Sequence, residues 1–365
     1  MGIFLTLFIL IIELGSVLSW LLIKLTILSN QPDIAHGLLL WFIWVPLIAI
    51  GSFTLSWNHY STINAFIYRV TIWWLGALAY ITIASIFVGI LYSTGTKLGL
   101  NDTSVNSISL ALYGIALMVA LLGTVHARIG RVRTYTLEKK LFPPHWAGRR
   151  IALISDTHIG QVNGRGFLKK VISEIKAQNP NMVIIAGDLI DGPKFPIEWL
   201  DELDELTAPQ GVYFVPGNHD EYSRVFHKVE NILRSKMIVL NDEKAIVDGL
   251  QLVGIAYRKE KKEATKALLE SLKLEKDVPS IVVLHDPKNV QALIDHDVTL
   301  TLSGHTHKGQ IFPGNLIVKK IYGKHGYGMS KTNNTVSVTS SGRGTAQPAM
   351  RVGSTPEIVI LKIEE

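Results

Sequence analysis

The stretch NMVIIAGDLID, residues 181–191, decides the fold, because it joins a short apolar run to a carboxylate. Residues 182–186 are rich in β-branched side chains, which is typical of a strand buried on both faces. Gly187 allows the backbone to turn, so that Asp188 follows at the carboxyl end of this strand. The stretch therefore predicts a central strand that brings a carboxylate to the edge of a sheet.

Four other stretches repeat this arrangement of an apolar strand followed by metal-ligating side chain types. They are RIALISDTH (150–158), GVYFVPGNHD (211–220), IVVLHDP (281–287) and VTLTLSGHTH (298–307). In open α/β sheets, ligands bind outside the carboxyl ends of the strands. The candidate ligands gathered there are Asp156, His158, Asp188, Asn218, His285, His305 and His307. Since the chain has no cysteine, a metal at this edge must use nitrogen and oxygen ligands.

The first 127 residues form four hydrophobic blocks, at 3–28, 37–55, 67–91 and 105–127. Each is close to the ~20 residues that a helix needs to cross a bilayer. Buried core helices are the alternative, but only three basic and three acidic side chains occur in this part of the chain. The first block has no basic segment before it, so we do not expect a cleaved signal peptide. The sequence predicts a transmembrane domain of four helices over residues 1–127.

Residues 128–150 are strongly basic, with seven Lys or Arg residues and one Glu, and they carry the whole +6 net charge of the chain. We interpret them as a juxtamembrane linker, which the positive-inside rule places on the cytoplasmic side of a cell (inner or plasma) membrane. The linker either binds anionic inner-leaflet lipid or is only a topology signal. Residues 151–365 are electrically balanced, so no nucleic-acid partner is expected, because nucleic-acid-binding domains are basic in their own right.

Beyond this linker, apolar runs of strand length alternate with helical stripes. Helices are predicted near 166–179, 199–206, 226–233 and 260–275. Further strands are predicted towards the end of the chain at 316–321, 335–339 and 357–363. The alternation predicts an α/β domain over residues 151–365.

The motifs DxH at Asp156, GDxxD at Asp188, GNHD at Asn218 and GHTH at His305 together resemble those of the calcineurin-like metallophosphoesterase superfamily. The resemblance covers about residues 149–363, and the tail SSGRGTAQPAMRVGSTPEIVILKI (340–363) is similar to that of its small bacterial membrane-associated members. It implies a four-layer α/β sandwich, in which two mixed β-sheets pack face to face and helices flank them. The chain departs from the family at Asn181, where Asp is frequent, and in having four predicted spans instead of a single anchor.

The resemblance also implies a role for each motif residue. One divalent metal would be bound by Asp156, His158, Asp188 and His307, and a second by Asp188, Asn218, His285 and His305. His219 would be the catalytic histidine that binds no metal, and Asp191 would be its carboxylate partner. Mixed nitrogen and oxygen ligands favour manganese, with iron or zinc as alternatives.

These residues predict a metal-dependent hydrolase of phosphate ester bonds. A phosphomonoester, phosphodiester or pyrophosphate would be cleaved by a metal-bound hydroxide while His219 protonates the leaving oxygen. A lipid-linked substrate is favoured, because a membrane-anchored enzyme meets such a substrate at the bilayer surface. One alternative is a tethered phosphodiesterase that acts on soluble esters or nucleotides, and another is a non-catalytic membrane sensor or scaffold.

Two residues outside the metal motifs are further candidates for substrate contact. Arg343 could bind phosphate through its bidentate fork, with a structural salt bridge as its alternative. His325 lies in the glycine-rich segment YGKHGYG, downstream of the GHTH turn. We expect either side chain to lie close to the metal-binding edge if it contacts the substrate.

Overall fold

The computed structural model describes residues 14–25, 27, 32–58, 60–192, 194–223, 226–257 and 262–365. The chain divides into two compact units. The first contains Met1–His126 together with Gln347–Met350, and the second contains Ala127–Ala346 together with Arg351–Glu365.

The first unit is built from apolar helices, namely α1 (Leu14–Leu25), α2 (Pro32–Asn58), α3 (Thr62–Thr94) and α4 (Asp102–His126). Many of their large apolar side chains are exposed, as expected of helices whose solvent is lipid. Polar side chains pair between helices instead. Ser85 lies 3.1 Å from the Tyr113 hydroxyl, and the Trp73 indole donates to the Thr124 hydroxyl at 2.8 Å.

Three of the four predicted spans are confirmed as helices, because α2, α3 and α4 are each long and apolar enough to cross a bilayer. Of the first predicted span, 3–28, residues 14–25 are helical and most of the rest lies outside the described residues. The first unit therefore associates the chain with a membrane.

The second unit contains two six-stranded sheets in the part of the chain that the structure describes. The strands are β1 (Arg131–Leu137), β2 (Arg150–Ile154), β3 (Met182–Ala186), β4 (Val212–Val215), β5 (Ile238–Val239), β6 (Glu243–Val247), β7 (Leu250–Ile255), β8 (Ser280–Leu284), β9 (Leu300–Ser303), β10 (Gly328–Thr332), β11 (Thr335–Thr339) and β12 (Glu357–Ile363). The sheet orders are β1-β12-β2-β3-β4-β5 and β10-β11-β9-β8-β7-β6. Both sheets are mixed, since β12 is antiparallel to β2 and β6 is antiparallel to β7, whereas the central strands are parallel.

The alternation of side chains along β3 explains the layers. Met182 and Ile184 join the core between the two sheets, whereas Val183 and Ile185 join the core beneath the outer helices. The helices that flank the first sheet are α5 (Arg165–Lys176), α7 (Phe226–Lys236) and the 3₁₀ segment Ile197–Glu205, and those that flank the second are α8 (Lys262–Ser271) and α9 (Val290–Ile294). The short helix α6 (Asn218–Tyr222) follows β4. The predicted four-layer sandwich of two mixed sheets flanked by helices is confirmed.

The basic segment 128–150 is not a free linker. Its residues Arg131–Leu137 form the edge strand β1, which pairs in parallel with β12. Leu137, Phe142 and Trp146 then enter the core between the sheets. Arginines on β1 concealed this strand in the sequence, because an edge strand can expose charged side chains to water and so lacks a continuous apolar pattern.

The strand predicted at 316–321 is wrong, because this segment belongs to helix α10 (Gly314–Tyr322). A short apolar run cannot be assigned to a strand or a helix by its periodicity alone. A helix satisfies its own backbone hydrogen bonds, which suits a segment on the surface with no neighbouring strand. The strands predicted at 335–339 and 357–363 are confirmed as β11 and β12.

Candidate metal centre

The seven candidate ligands lie in the segments that directly follow five strands, and Asn218 is the first residue of α6. Strands β2, β3 and β4 are neighbours in the first sheet, and β8 and β9 are neighbours in the second. Because the two sheets share one core, the loops at their carboxyl ends meet at one edge. Six of the seven side chains are buried and His305 is partly exposed. The structure thus brings together the residues that the sequence singled out as ligands.

A first group of three side chains consists of Asp156, His158 and His307, whose ligand atoms lie within 4.8 Å of one another. The two Nε2 atoms of His158 and His307 are 3.1 Å apart, and His307 Nε2 is 3.4 Å from Asp156 Oδ1. Two imidazole nitrogens approach so closely when a proton or a cation is shared between them. The group therefore has the donor types and the spacing of one metal site.

A second group consists of Asp188, His285 and His305, again within 4.8 Å of one another. His285 Nε2 lies 3.1 Å from Asp188 Oδ2, and Asn218 Oδ1 lies 2.9 Å from His305 Nδ1. Asp188 Oδ2 is also 3.7 Å from His158 Nε2 of the first group. The carboxylate of Asp188 consequently stands between the two groups, where it can serve both.

The surroundings of His285 fit a metal ligand. Its Nδ1–H donates to the Ala186 carbonyl at 2.7 Å, which orients the ring so that Nε2 faces Asp188. Nε2 is buried and has no well-aligned hydrogen-bond partner, although Asp188 is near. A buried polar atom without a hydrogen bond is costly, so this nitrogen calls for a ligand that the protein itself does not supply.

The charges around the groups also favour cations. Burial opposes a positive charge on His285, yet the Asp188 carboxylate outweighs burial and raises the pKa of His285 to about 10. Burial lowers the pKa of His158, and it lowers that of His307 well below the ordinary value. Neutral imidazole is the form that binds a metal. His158 and His307 are therefore held in the metal-binding form, whereas His285 would bind a metal in exchange for a proton, beside a strong negative field.

The backbone carries strain at this edge. Positive φ angles of 47–68° occur at five of the seven candidate ligands, namely Asp156, His158, Asp188, His305 and His307. Such angles are unfavourable for residues with a side chain and cluster at functional sites. Gly217, the glycine of GNHD, has no room for a side chain, because a Cβ at this position would lie 2.3 Å from Asp188 Oδ1. The loops are thus held in conformations that aim the side chains at one place.

His219 and Asp191 form a pair beside the two groups. His219 Nδ1 lies 2.9 Å from Asp191 Oδ1, so Nδ1–H donates to the carboxylate and Nε2 is the remaining ring nitrogen. Burial lowers the pKa of His219, but Asp191 outweighs it and raises the pKa to about 9. His158, Asp191 and His219 also lie within 4.8 Å of one another. Because Asp191 is already hydrogen-bonded to His219 and its other oxygen is 4.0 Å from His158, we interpret it as the partner of His219.

Two residues to which the sequence gave no role hold the site together. The buried carboxylate of Asp220 accepts hydrogen bonds from the backbone N–H groups of Asp188, Ile190 and Gly217. Burial, with the Asp188 charge, raises the pKa of Asp220 to about 7. Asp220 is the last residue of the GNHD motif, and this position in the sequence could have identified it as a residue of the site.

Arg351 is the other residue that sequence reasoning missed. Its buried guanidinium donates to the carbonyls of His307, Ser341 and Gly344 at 2.6–2.8 Å. It thereby joins the GHTH turn to the loop that precedes β12. An arginine in a tail without a ligand motif offers no such signal in the sequence.

Arg343 and His325 are not brought to the metal groups. Arg343 is fully buried and donates to both oxygens of Glu174 at 2.6 and 2.8 Å, so its salt-bridge alternative is what the structure contains. His325 Nδ1 lies 2.8 Å from the Ser337 hydroxyl and 3.3 Å from the Ser330 hydroxyl. The salt-bridge alternative therefore describes Arg343 in this structure, and substrate contact by either side chain stays a prediction.

Comparison with known proteins gives the class of this chain. A family model described as calcineurin-like phosphoesterase matches residues 149–309. A metallophosphoesterase of Campylobacter jejuni is 30% identical over 298 residues, which cover 79% of this chain and 78% of the relative. The chain belongs to the calcineurin-like metallophosphoesterase family, a class of metal-dependent phosphoester hydrolases that bind two divalent metals.

Other relatives match this chain over part of its length. A metallophosphoesterase of Helicobacter pylori is 31% identical over 224 residues, and the match spans 59% of this chain and 59% of the relative. A transmembrane protein with metallophosphoesterase domain from Danio rerio is 28% identical over 68% of this chain and 61% of the relative. The name of this relative thus describes a transmembrane protein that has a metallophosphoesterase domain.

Proposed function

We propose that this protein is a membrane-anchored dinuclear-metal phosphoesterase that hydrolyses a lipid-linked phosphomonoester, phosphodiester or pyrophosphate. The observation that carries the proposal is the convergence of two ligand groups around Asp188, with the His219–Asp191 pair directly beside them. A protein that only bound a nucleotide would have no need of a histidine held as a proton donor.

The assignment of ligands follows the two groups. One metal would be held by Asp156, His158, Asp188 and His307, and the other by Asp188, Asn218, His285 and His305. When bound, two such cations supply Lewis-acid polarisation of the phosphoryl oxygens and of water. We propose manganese as the metal, with iron or zinc as alternatives, because the donors are imidazoles, carboxylates and an amide.

His219 would act on the leaving group. Water would lose one proton to solvent as its oxygen bonds to phosphorus, and the bond from phosphorus to the ester oxygen would break. His219 Nε2–H would give its proton to that leaving oxygen and would then be reprotonated from solvent. Asp191 keeps the other ring nitrogen protonated and stabilises the positive charge of the imidazole. The raised pKa of His219, to about 9, means that this proton is present at neutral pH.

The apolar helices of the first unit and the basic segment 128–150 support a location at the membrane and a lipid substrate. We propose a multi-pass protein of the inner or plasma membrane with its catalytic unit in the cytoplasm, since the basic residues 128–150 follow the last apolar helix. A lipid substrate gains effective concentration when enzyme and substrate share a surface, whereas a soluble ester gains none.

Turnover of a substrate panel tests the proposal. Purified full-length protein with manganese should hydrolyse phosphate esters, and a lipid phosphate in vesicles should be preferred to a soluble ester with the same leaving group. Equal rates for both would favour the tethered phosphodiesterase. Absence of turnover at full metal occupancy across monoesters, diesters and pyrophosphates would favour the sensor or scaffold.

A further inference from the structure

Helix α10 carries an apolar face that stays exposed in the part of the chain that the structure describes. Leu316, Ile317 and Ile321 are 57%, 59% and 61% exposed, and Phe312 just before the helix is 49% exposed. Ile317 and Ile321 are four residues apart and so lie on one side of the helix. Single exposed apolar side chains are ordinary on a protein surface, but a contiguous group marks a contact surface. These four residues are called the α10 face.

The surroundings of the α10 face are cationic. Lys319 and Lys320 lie on the helix, Lys324 follows it, and all three are exposed. No Asp or Glu occurs anywhere between residues 298 and 356. Exposed apolar side chains flanked by lysines are typical of helices that lie in a membrane interface, where the apolar groups enter the acyl boundary and the lysines reach anionic headgroups.

The opposite side of α10 is connected to the second metal group. The Tyr322 hydroxyl is hydrogen-bonded to the Asp286 carboxylate, and Asp286 Oδ2 lies 3.8 Å from His305 Nε2. The helix also follows the GHTH turn closely, since a Cβ at Gly309 would lie 2.2 Å from the backbone nitrogen of Asn315. Whatever binds the α10 face is therefore held next to the metal centre.

We propose that the α10 face inserts into the interface of an anionic phospholipid surface, with Lys319, Lys320 and Lys324 at the level of the headgroups. Lipid is favoured over a protein partner because the charge around the face is of one sign, as the attraction to anionic lipid requires. The same chain also contains three helices that are long and apolar enough to cross a bilayer, so the second unit is tethered to a lipid surface. The insertion brings the metal centre to the headgroup layer; that this serves a lipid-linked substrate rests on the proposed function.

The absence of cysteine from the chain allows a direct test. Ile317→Cys in full-length protein is labelled with an environment-sensitive fluorophore and reconstituted in nanodiscs of phosphatidylcholine and phosphatidylglycerol that contain doxyl-labelled lipid. Ile246→Cys is the matched control, since Ile246 is an exposed isoleucine of β6. The label at 317 should be quenched by doxyl lipid and should be several-fold less accessible to aqueous iodide than the label at 246.

The charged residues are tested with the same label. Replacing phosphatidylglycerol by phosphatidylcholine, adding salt, or introducing Lys319→Gln with Lys320→Gln should each raise iodide access at 317 and leave 246 unchanged. Ile321→Cys provides a second labelling position, so the result does not depend on one variant.

Two results would overturn the inference. One is equal iodide access at 317 and 246. The other is protection from iodide without quenching by doxyl lipid, because that pattern indicates a protein partner such as a second copy of the chain. Both readouts measure the environment of the label and not activity. A negative result for membrane insertion can therefore be distinguished from a negative result for phosphoesterase activity.

Discussion

At the scale of single residues, Asp188 is the position on which both ligand groups depend. Its Oδ2 lies 3.1 Å from His285 and 3.7 Å from His158, and its Oδ1 accepts the His219 backbone N–H at 2.8 Å. Burial disfavours its charge, but the neighbouring histidines outweigh burial and hold the pKa of Asp188 well below its usual range. It therefore stays ionised in a buried place, which is the state that a bridging ligand needs.

Asp188→Asn should lose both metals and activity together. The amide keeps one oxygen of similar shape but removes the negative charge that two cations would share. Elemental analysis of the purified protein should find close to two transition-metal ions per chain in the unaltered protein and far less in the variant. The exposed Asp201→Asn is the control for a change of charge alone. Full metal occupancy in Asp188→Asn would exclude a bridging role for this carboxylate.

His219→Ala separates proton donation from metal binding. Its metal content should remain near that of the unaltered protein, while turnover falls by ~10²–10⁴-fold, the usual contribution of a general acid. The loss should shrink for nitrophenyl esters, whose leaving groups need little protonation, and should be largest for alkyl esters. His227→Ala, at an exposed position, should change neither quantity. An equal loss for both ester types would exclude His219 as the proton donor to the leaving group.

Some residues of the site could be predicted from the sequence and others could not. The seven candidate ligands each follow an apolar strand, so local sequence was enough to single them out. Arg343 could not be assigned in this way, because its partner Glu174 is 169 residues away in the chain. Arg351 donates mainly to backbone carbonyls, and residue identity does not show where such acceptors lie. Contacts that depend on distant packing are therefore the ones that the sequence did not show.

At the scale of elements, β1 and the residues after it close one end of the core. Trp146 is fully buried between the sheets with Phe142, and its indole donates to the Asp248 carbonyl at 2.9 Å. The arginines of β1 led to the prediction of a linker, whereas the short apolar run in α10 led to the prediction of a strand. In both cases the missing information was whether a neighbouring strand exists to pair with.

Trp146→Ala should lower the free energy of unfolding of the second unit by ~3–5 kcal/mol, the usual cost of truncating a buried tryptophan. Denaturant unfolding of full-length protein, followed by a signal from the second unit, measures this loss. His145→Ala is the neighbouring control, since the His145 ring is about half exposed and its ion pair with Asp248 is on the surface. A change below 1 kcal/mol for Trp146→Ala would mean that 128–150 behaves as the linker that the sequence suggested.

At the scale of the whole molecule, the net charge is carried by residues 128–150, which fold as part of the second unit. Several of its basic side chains have partners there, because Arg133 pairs with Glu357, Arg149 with Asp248 and Lys140 with Glu138. Arg131 is exposed and is in none of these pairs, and Lys139 is exposed with its Nζ donating to the Glu365 backbone oxygen at 2.8 Å. The charge that can act on a lipid surface is therefore smaller than the +6 of the sequence.

The double variant Arg131→Gln with Lys139→Gln decides between the two interpretations of this segment, a lipid-binding surface and a topology signal. Each basic residue near an anionic surface contributes ~1 kcal/mol, so removing two should raise the apparent KM for a lipid phosphate in anionic vesicles by up to about tenfold. The kcat and the turnover of a soluble ester should not change, because neither side chain belongs to the metal centre.

Arg165→Gln with Lys169→Gln is the matched control, since both side chains are engaged with Glu202. Added salt should reduce the difference between the two double variants, because exposed charges are screened within about 10 Å at 0.1 M salt. If the variant without Arg131 and Lys139 keeps an unchanged KM for lipid at low salt, the segment acts on topology alone. Attraction of the second unit to the bilayer would then have to come from the α10 face and the lysines around it.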